Sequence, residues 1–205
     1  DPERRDLEEI QKAGQRAAAL TQQLLAFSRK QVLMPKQVDL NQTVAGLKTM
    51  LGRLLREDIM LVCAPAAAPA IVRVDPTQIE QAILNLVLNA RDALPGGGTI
   101  RVELAHVPRT AVAASLDQPL APADEFVRLR VVDNGVGMTA EARAHLFEPF
   151  FTTKDVGQGT GLGLASVYGI VRQSNGVITG DSEPGAGSVF TMYFPVASAG
   201  ATGAG

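Results

Sequence analysis

The chain has 205 residues, of which 46% are hydrophobic, and a formal net charge of -2 at pH 7. The hydrophobic fraction supports a sizeable core and excludes wholesale disorder, and the near-neutral charge gives no electrostatic reason to expect a surface for nucleic acid or anionic membrane. One cysteine and two histidines are too few for an intrachain disulfide, a thiolate zinc site or most histidine-based metal sites.

The first predicted element is a long helix over residues 5–31. Its apolar or small residues recur at steps of three and four, which is the spacing of a coiled-coil seam: Ile10, Ala13, Ala17, Leu20, Leu24 and Phe27. A single helix cannot bury such a seam by itself, so we expect a two-helix or intermolecular bundle. Packing of this helix onto its own domain is the alternative.

Short strands and helices are predicted to follow Pro35. The helices are expected over 40–56, 75–94, 139–147 and 161–173, and the strands over 59–63, 71–74, 99–107, 126–132, 177–181 and 188–194. Residues 108–124 are rich in alanine and proline and are predicted to form a surface loop, as are residues 148–160. No apolar run approaches the roughly 20 residues that span a bilayer.

The helix predicted over 75–94 carries a narrow polar stripe. At about 100° per residue, three further polar residues fall within about 40° of Asn85, namely Gln81, Asn89 and Asp92. Burying such groups without partners costs about 1–3 kcal/mol each, so we expect them to contact protein groups or a ligand and a metal. Asparagine carbonyls suit Mg²⁺. An inward polar network with a purely structural role is the alternative.

The segment after the predicted strand 126–132 contains an aspartate and two glycines, in the order Asp133, Asn134, Gly135, Val136, Gly137 and Met138. Asp133 can accept a hydrogen bond from a donor such as an exocyclic amine, and the glycines permit unusual backbone angles and close approach of a ligand. A plain Asp-Asn-Gly hairpin turn is the alternative.

Residues 157–163 have glycine at every second position directly before a predicted helix. Consecutive backbone N–H groups at a helix N-terminus suit a phosphate group. The spacing matches neither the P-loop nor the Gly-x-Gly-x-x-Gly pattern. Upstream on the same loop, Lys154 could reach a terminal phosphate. A merely flexible loop and a solvated surface charge are the alternatives.

Four motifs stand in one order: Asn-Leu-Val-Leu-Asn-Ala-Arg-Asp-Ala at 85–93, Asp-Asn-Gly-Val-Gly-Met at 133–138, Phe-Glu-Pro-Phe-Phe-Thr-Thr-Lys at 147–154 and Gly-Gln-Gly-Thr-Gly-Leu-Gly-Leu at 157–164. Together they resemble the catalytic ATP-binding domain of bacterial sensor histidine kinases of the hybrid or nitrogen-regulator-like kind, which have the Bergerat fold of the GHKL superfamily. The resemblance implies a two-layer α/β sandwich over residues 35–198, with helices on one face of a mixed sheet. It also implies that residues 1–34 are the second helix of the dimerisation and phosphoacceptor domain, and that residues 199–205 are a flexible tail or linker.

The resemblance implies a site for Mg²⁺ and the phosphates of ATP. Asn89 would ligate Mg²⁺, and Asn85 would lie beside it near the phosphates, with Asp92 in the same nucleotide-binding set. Lys154 would hold the phosphates together with the backbone of a glycine-rich segment: Gly159, Thr160, Gly161, Leu162 and Gly163. Catalysis would consist of positioning by residues such as Asn85 and of charge neutralisation by Mg²⁺ and Lys154.

The resemblance also implies how the base would bind. Asp133 would bond the adenine amine, Gly135 and Gly137 would let the base approach, and Thr191 would reach the adenine through water. The loop over residues 152–160 would be the ATP lid.

The implied reaction transfers the γ-phosphoryl group of Mg-ATP to a histidine upstream of this chain and then to the aspartate of a response-regulator receiver domain. No histidine precedes His106, so we expect no autophosphorylation of the chain alone. The resemblance further implies a cytoplasmic homodimer formed through the dimerisation domain, with no contact of this chain with nucleic acid or membrane.

Two alternatives differ in reaction class. One is an ATP-hydrolysing GHKL ATPase, whose members carry a glutamate general base at the position that matches Asn85, and an amide cannot take a proton from water. The other is a nucleotide-binding dimerisation module without catalysis.

Overall fold

The computed structural model of the chain describes residues 33–113, 120–154 and 160–197. The described strands are β1 (Lys36–Asp39), β2 (Ile59–Ala64), β3 (Ile71–Val74), β4 (Gly98–Pro108), β5 (Glu125–Asp133), β6 (Val177–Glu183) and β7 (Gly187–Pro195). The described helices are α1 (Leu40–Leu54), α2 (Pro76–Asp92), α3 (Arg109–Ala113), α4 (Ala140–Ala144) and α5 (Gly163–Gln173). The predicted arm over 5–31 and the tail over 199–205 lie outside the described residues.

The strands form a two-stranded sheet, β1-β3, and a five-stranded sheet in the order β2-β4-β5-β7-β6. The larger sheet is mixed, because β2 pairs parallel with β4 whereas every other neighbouring pair is antiparallel. In the antiparallel register Asp133, the last residue of β5, stands opposite Ile100 of β4 and Ser188 of β7. This register brings the end of β5 next to the start of β7.

The hydrophobic core lies between the helices and one face of the larger sheet. Alternate residues of a strand point to opposite faces, and the inward positions of the three central strands are buried and apolar: Ile100, Val102, Leu104, Val127, Leu129, Val131, Phe190, Met192 and Phe194. Outward positions carry charge, as in the ion pairs of Glu103 with Arg101 at 2.7 Å and with Arg130 at 3.3 Å. The predicted two-layer α/β sandwich is confirmed.

Helix α2 begins where its sequence predicts. The side chain of Asp75 accepts hydrogen bonds from the backbone N–H groups of Thr77 and Gln78, and Pro76 occupies the first turn, where its missing N–H has no cost. The helix buries an apolar stripe formed by Ile79, Ala82, Ile83, Leu86, Val87 and Ala90. This packing orients the opposite, polar side of α2 away from the sheet.

Three elements differ from the sequence prediction. Strand β1 was not predicted, because its sequence Lys-Gln-Val-Asp contains one apolar residue and its pairing with distant β3 defines it. Helix α3 lies inside residues 108–124, which were predicted as a loop, and Arg109 at its start donates to the carbonyl oxygen of Ala123 at 3.2 Å. Helix α4 is shorter than the predicted helix over 139–147.

Among the residues that the structure describes, no helix is both long and apolar enough to cross a membrane.

Candidate nucleotide-binding site

The polar stripe of α2 faces the start of α5. The amide nitrogen of Gln81 donates to Oδ1 of Asn85 at 3.0 Å, and Nδ2 of Asn85 donates to the carbonyl oxygen of Gly163 at 3.4 Å. Nδ2 of Asn89 lies 3.8 Å from the place that a β-carbon would occupy at Gly163. Asn85 and Asn89 are half-buried rather than fully buried. Their amides are therefore accessible to a ligand.

The carboxylate of Asp92 continues the stripe and accepts hydrogen bonds from two positively charged side chains. Its Oδ2 accepts a hydrogen bond from Nζ of Lys154 at 2.6 Å, and its Oδ1 accepts from two guanidinium nitrogens of Arg91 at 2.8 and 2.9 Å. Burial acts to raise the pKa of Asp92, but the hydrogen bonds from Lys154 and Arg91 outweigh it and leave this pKa below its ordinary value. The ammonium group of Lys154 is thereby placed at the end of the asparagine stripe.

The N-terminus of α5 is open to an anion. The residue at its N-cap position, Leu162, gives no side-chain hydrogen bond to the first turn, so backbone N–H groups there remain available, and the helix dipole favours negative charge at this end. Gly161 has a φ of 64°, and its carbonyl oxygen accepts a hydrogen bond from the N–H of Phe150 at 2.9 Å. A β-carbon on Gly161 would collide with the backbone of Phe150. Gly159 lies outside the described residues, whereas Thr160 to Gly163 are at this helix start as predicted.

Asp133 provides a buried acceptor at the end of β5. Its side chain is only 5% exposed, and Oδ1 accepts a hydrogen bond from the N–H of Gly135 at 2.9 Å. The backbone N–H and the hydroxyl of Ser188 donate to the same carboxylate. Burial raises the pKa of Asp133 by more than these hydrogen bonds lower it. The group is thus a fixed acceptor in a place where water is largely excluded.

Gly135 and Gly137 serve the packing of the protein itself. A β-carbon on Gly135 would collide with the carbonyl oxygen of Ala93, and one on Gly137, which has a φ of 67°, would collide with the carbonyl oxygen of Glu183. The N–H of Val136 donates to the carbonyl oxygen of Ala93 at 2.9 Å. These contacts give both glycines a structural role, and their expected role in letting a base approach stays a prediction.

Thr191 does not lie beside Asp133. The register of β5 and β7 places Asp133 opposite Ser188 and Arg130 opposite Thr191. Since neighbouring positions alternate between faces, the side chain of Thr191 lies on the other face of the sheet. This register corrects the expectation for Thr191 and places Ser188, which the sequence analysis did not identify, beside the carboxylate. The sequence signal for Ser188 is its position directly after Gly187, the first residue of β7.

The family of histidine kinase-, DNA gyrase B- and HSP90-like ATPases has a profile that matches residues 74–198, more than half of the chain. The chain belongs to this family. The matched region runs from α2 through β7 and contains all the described site residues. Membership in this ATPase family implies that the chain binds ATP, and the predicted resemblance is confirmed.

Similar proteins of this ATPase family are sensor kinases. The chain is 44% identical over 195 residues to the sensor kinase CckA of Brucella abortus. This alignment covers 95% of this chain and 20% of that protein. It is 35% identical over 175 residues to the sensor histidine kinase ZraS of Klebsiella oxytoca, covering 85% of this chain and 34% of that protein. The chain therefore spans only 20% and 34% of the lengths of these two curated relatives.

Solved histidine kinase structures share the fold. A mycobacterial sensor histidine kinase, MprB, is 25% identical, with a TM-score of 0.61 over 79% of this chain and 97% of that one. The nucleotide-free catalytic domain of histidine kinase ThkA is 27% identical, also with a TM-score of 0.61, over 79% of this chain and 95% of that one. The predicted histidine kinase catalytic fold is confirmed.

Proposed function

We propose that the chain is the ATP-binding catalytic part of a two-component sensor histidine kinase. The observation that carries this proposal is the hydrogen bond from Asn85 to the carbonyl oxygen of Gly163, which joins the polar stripe of α2 to the open N-terminus of α5. Amide side chains and free backbone N–H groups meet there, and this combination suits a polyphosphate. This arrangement supports nucleotide binding between α2 and α5, and the similarity to sensor kinases supports the reaction class.

The triphosphate would lie between α2 and the start of α5. Backbone N–H groups at 160–163 would donate to phosphate oxygens, and that of Leu162 would leave Oγ1 of Thr160, to which it donates at 3.4 Å. The ammonium group of Lys154 would leave Asp92 and bind a phosphate instead. Charge-assisted hydrogen bonds of this kind are among the stronger ones in proteins. Because phosphoryl transfer needs little covalent help, positioning and charge neutralisation would suffice for catalysis.

The chemistry of Asn89 fits Mg²⁺. Its amide oxygen is a hard donor on a half-buried side chain, and Mg²⁺ commonly takes one or two protein ligands while phosphates and water complete its shell. Within the described residues no group of three or more histidine, cysteine, aspartate or glutamate side chains is arranged for a metal. Asn89 would therefore hold Mg²⁺ together with the nucleotide, and the ion would neutralise phosphate charge.

The base would be recognised at the other end of the site. Asp133 would accept a hydrogen bond from the exocyclic amine of adenine, and Ser188 would hold the carboxylate in place. A guanine carbonyl oxygen at the same place would face the acceptor and repel it. Adenine nucleotides are therefore the expected ligands.

The phosphoryl acceptor would be a histidine outside the described fold. His106 lies six residues along β4 from Ile100, which is opposite Asp133, so about 20 Å of strand separates it from the base end of the site. His145, directly after α4, is paired with Glu148 at 2.8 Å, and its ring is tilted against that of Phe151 with centroids 5.5 Å apart. We further propose a cytoplasmic homodimer as the full protein and a receiver domain as the onward partner.

The proposal is tested with a longer chain that includes an upstream helical hairpin. Incubated with γ-labelled ATP and Mg²⁺, it should acquire acid-labile, base-stable phosphate on a histidine of that hairpin. Asp133→Ala should abolish most labelling, whereas Ser174→Ala, at the distant end of α5, should not. Steady release of free phosphate without protein labelling would instead support the ATP-hydrolysing alternative, and binding of ATP with neither outcome would support the non-catalytic module.

A further inference from the structure

We propose that Ser182 is a positioning residue that sets the selectivity of the site for adenine. It lies on β6, outside the residues that would touch the nucleotide, and would act through Ser188 on Asp133. The inference rests on the proposed function, because it requires that Asp133 accepts a hydrogen bond from the amine of the base.

The hydroxyl of Ser182 joins the two segments that surround Asp133. Its Oγ accepts a hydrogen bond from the N–H of Met138 at 2.8 Å, at the end of the turn that Asp133 begins. The same Oγ lies 2.7 Å from the carbonyl oxygen of Gly187 and 3.2 Å from Oγ of Ser188, where β7 begins. One half-buried hydroxyl therefore connects the turn 133–138 with the hairpin 182–188.

The count of protons gives this network a direction. The hydroxyl of Ser188 donates its only proton to the carboxylate of Asp133, so it has no proton left for Ser182. Ser182 donates its own only proton to the carbonyl oxygen of Gly187, at 2.7 Å. That carbonyl belongs to the same peptide group as the backbone N–H of Ser188, which also donates to Asp133. A chain of hydrogen bonds thus runs from Ser182 through the Gly187–Ser188 peptide to Asp133, and bonds in such a chain strengthen one another.

The surrounding backbone keeps these groups in place. Gly187 has a φ of 82°, and a β-carbon on it would collide with the carbonyl oxygen of Asp133. The N–H of Gly185 donates to the carbonyl oxygen of Val136 at 2.7 Å. Since the turn and the hairpin touch backbone to backbone, removal of the Ser182 hydroxyl changes the hydrogen bonds more than the path of the chain.

Loss of this hydroxyl should alter one part of the site selectively. Without it, the N–H of Met138 and the carbonyl oxygen of Gly187 lose their partner, and the Gly187–Ser188 peptide is free to turn its N–H from Asp133. The carboxylate then binds the amine of adenine less well. The phosphate-binding groups on α2 and at the start of α5 make no hydrogen bond with Ser182 within the described residues, so the contribution of the phosphates should remain.

The test compares two nucleotides that differ only in the amine. The Kd of the full chain is measured by calorimetry, with Mg²⁺, for ATP and for purine riboside triphosphate, which lacks the 6-amino group. In Ser182→Ala the preference for ATP should fall about three- to ten-fold, the effect of one hydrogen bond, with little change for the purine analogue. Ser182→Thr keeps the hydroxyl and should keep the preference.

Ser174→Ala is the matched control, because the hydroxyl of Ser174 also makes one local hydrogen bond, to the carbonyl oxygen of Ile170 at 3.0 Å. It should leave both affinities unchanged. Equal weakening of both nucleotides in Ser182→Ala, or an unchanged ratio, would overturn the role of Ser182 while the proposed function stands. Failure of the unsubstituted chain to bind ATP would overturn both. If Ser182→Ala does not fold, Ser182→Cys, with its weak donor, should show the same fall in preference, and an unchanged ratio there would overturn the inference.

Discussion

At Asp133, burial favours the protonated carboxyl, whereas the proposed binding of adenine requires the ionised carboxylate. The fold places this carboxyl where only 5% of the residue is exposed, and burial raises its pKa. Because the folded state binds the proton more tightly than the unfolded state does, the contribution of Asp133 to stability is fully present below the unfolded pKa. That contribution is lost as pH rises through the raised pKa. An adenine amine, in contrast, needs the ionised form as its acceptor.

The affinity for ATP should therefore fall as the pH is lowered through the raised pKa of Asp133, before the fold is lost. Asp133→Asn should weaken ATP binding by about 1–3 kcal/mol at neutral pH and flatten its pH dependence. Calorimetric titrations across the pH range measure both, and Asp181→Asn, an exposed carboxyl on β6, is the control. A pH dependence that is the same with and without the Asp133 carboxyl would contradict its role.

Lys154 should contribute more to the affinity for ATP than to that for ADP, because it is proposed to contact the terminal phosphate. Its ammonium is about one-third exposed and is already paired with Asp92, so the gain on transfer to a phosphate is moderated by solvent and by the lost ion pair. Lys154→Ala should weaken ATP by about 1 kcal/mol and ADP by less. Lys48→Ala, which removes an exposed charge on α1, should alter neither. Equal effects on ATP and ADP would place Lys154 away from the terminal phosphate.

At the scale of elements, the bounds and the buried face of α2 could be predicted from the sequence, but the tertiary contacts of its polar residues could not. Its cap, its proline and its apolar period are local features of the sequence, and the structure reproduces them. The partners of Asn85 and Ser182 depend on contacts across the fold, which no local pattern encodes. The face of Thr191 depends on the register of β5 and β7, where a shift by one residue reverses inside and outside. Such details follow only from the assembled sheet.

The start of α5 offers a test with paired glycines. Gly161→Ala should destabilise the fold, because φ is 64° and a β-carbon would meet the backbone of Phe150. Gly169→Ala, inside α5 with open space around its β-carbon position, should instead stabilise it by about 0.5–1 kcal/mol. Denaturant unfolding of both variants measures the difference. A stabilising Gly161→Ala would show that this loop is not held as described.

At the scale of the molecule, four short motifs were enough to predict the two-layer fold and the kinase family. They are specific because a nucleotide site needs amides, an acceptor and glycine-rich backbone in one order along the chain. What the motifs could not indicate was the tertiary reason for Gly135 and Gly137, which are required by the packing of α2 and β6 against the turn. A glycine needed for folding and a glycine needed for a ligand look alike in a sequence.

The 205-residue chain, incubated alone with γ-labelled ATP and Mg²⁺, should remain unlabelled. Its two histidines are engaged elsewhere, since His106 contacts the carbonyl oxygen of Pro69 at 3.2 Å and Glu125 at 3.3 Å, and His145 contacts Glu148 at 2.8 Å. Addition of a helical hairpin that bears an exposed histidine should restore transfer. Phosphate found on His106 or His145 by mass spectrometry would contradict the placement of the acceptor outside the chain.

The hydrogen bond from the N–H of Val136 to the carbonyl oxygen of Ala93, at 2.9 Å, has a consequence for ligands of different size. It fixes the segment proposed to bind the base onto the helix whose amides are proposed to lie near the phosphates, so the distance between the two ends of the site is constant. Adenosine and inorganic triphosphate should each bind weakly on their own. Joining them makes the second contact intramolecular, and ATP should bind more tightly than either fragment through the high effective concentration of its second half.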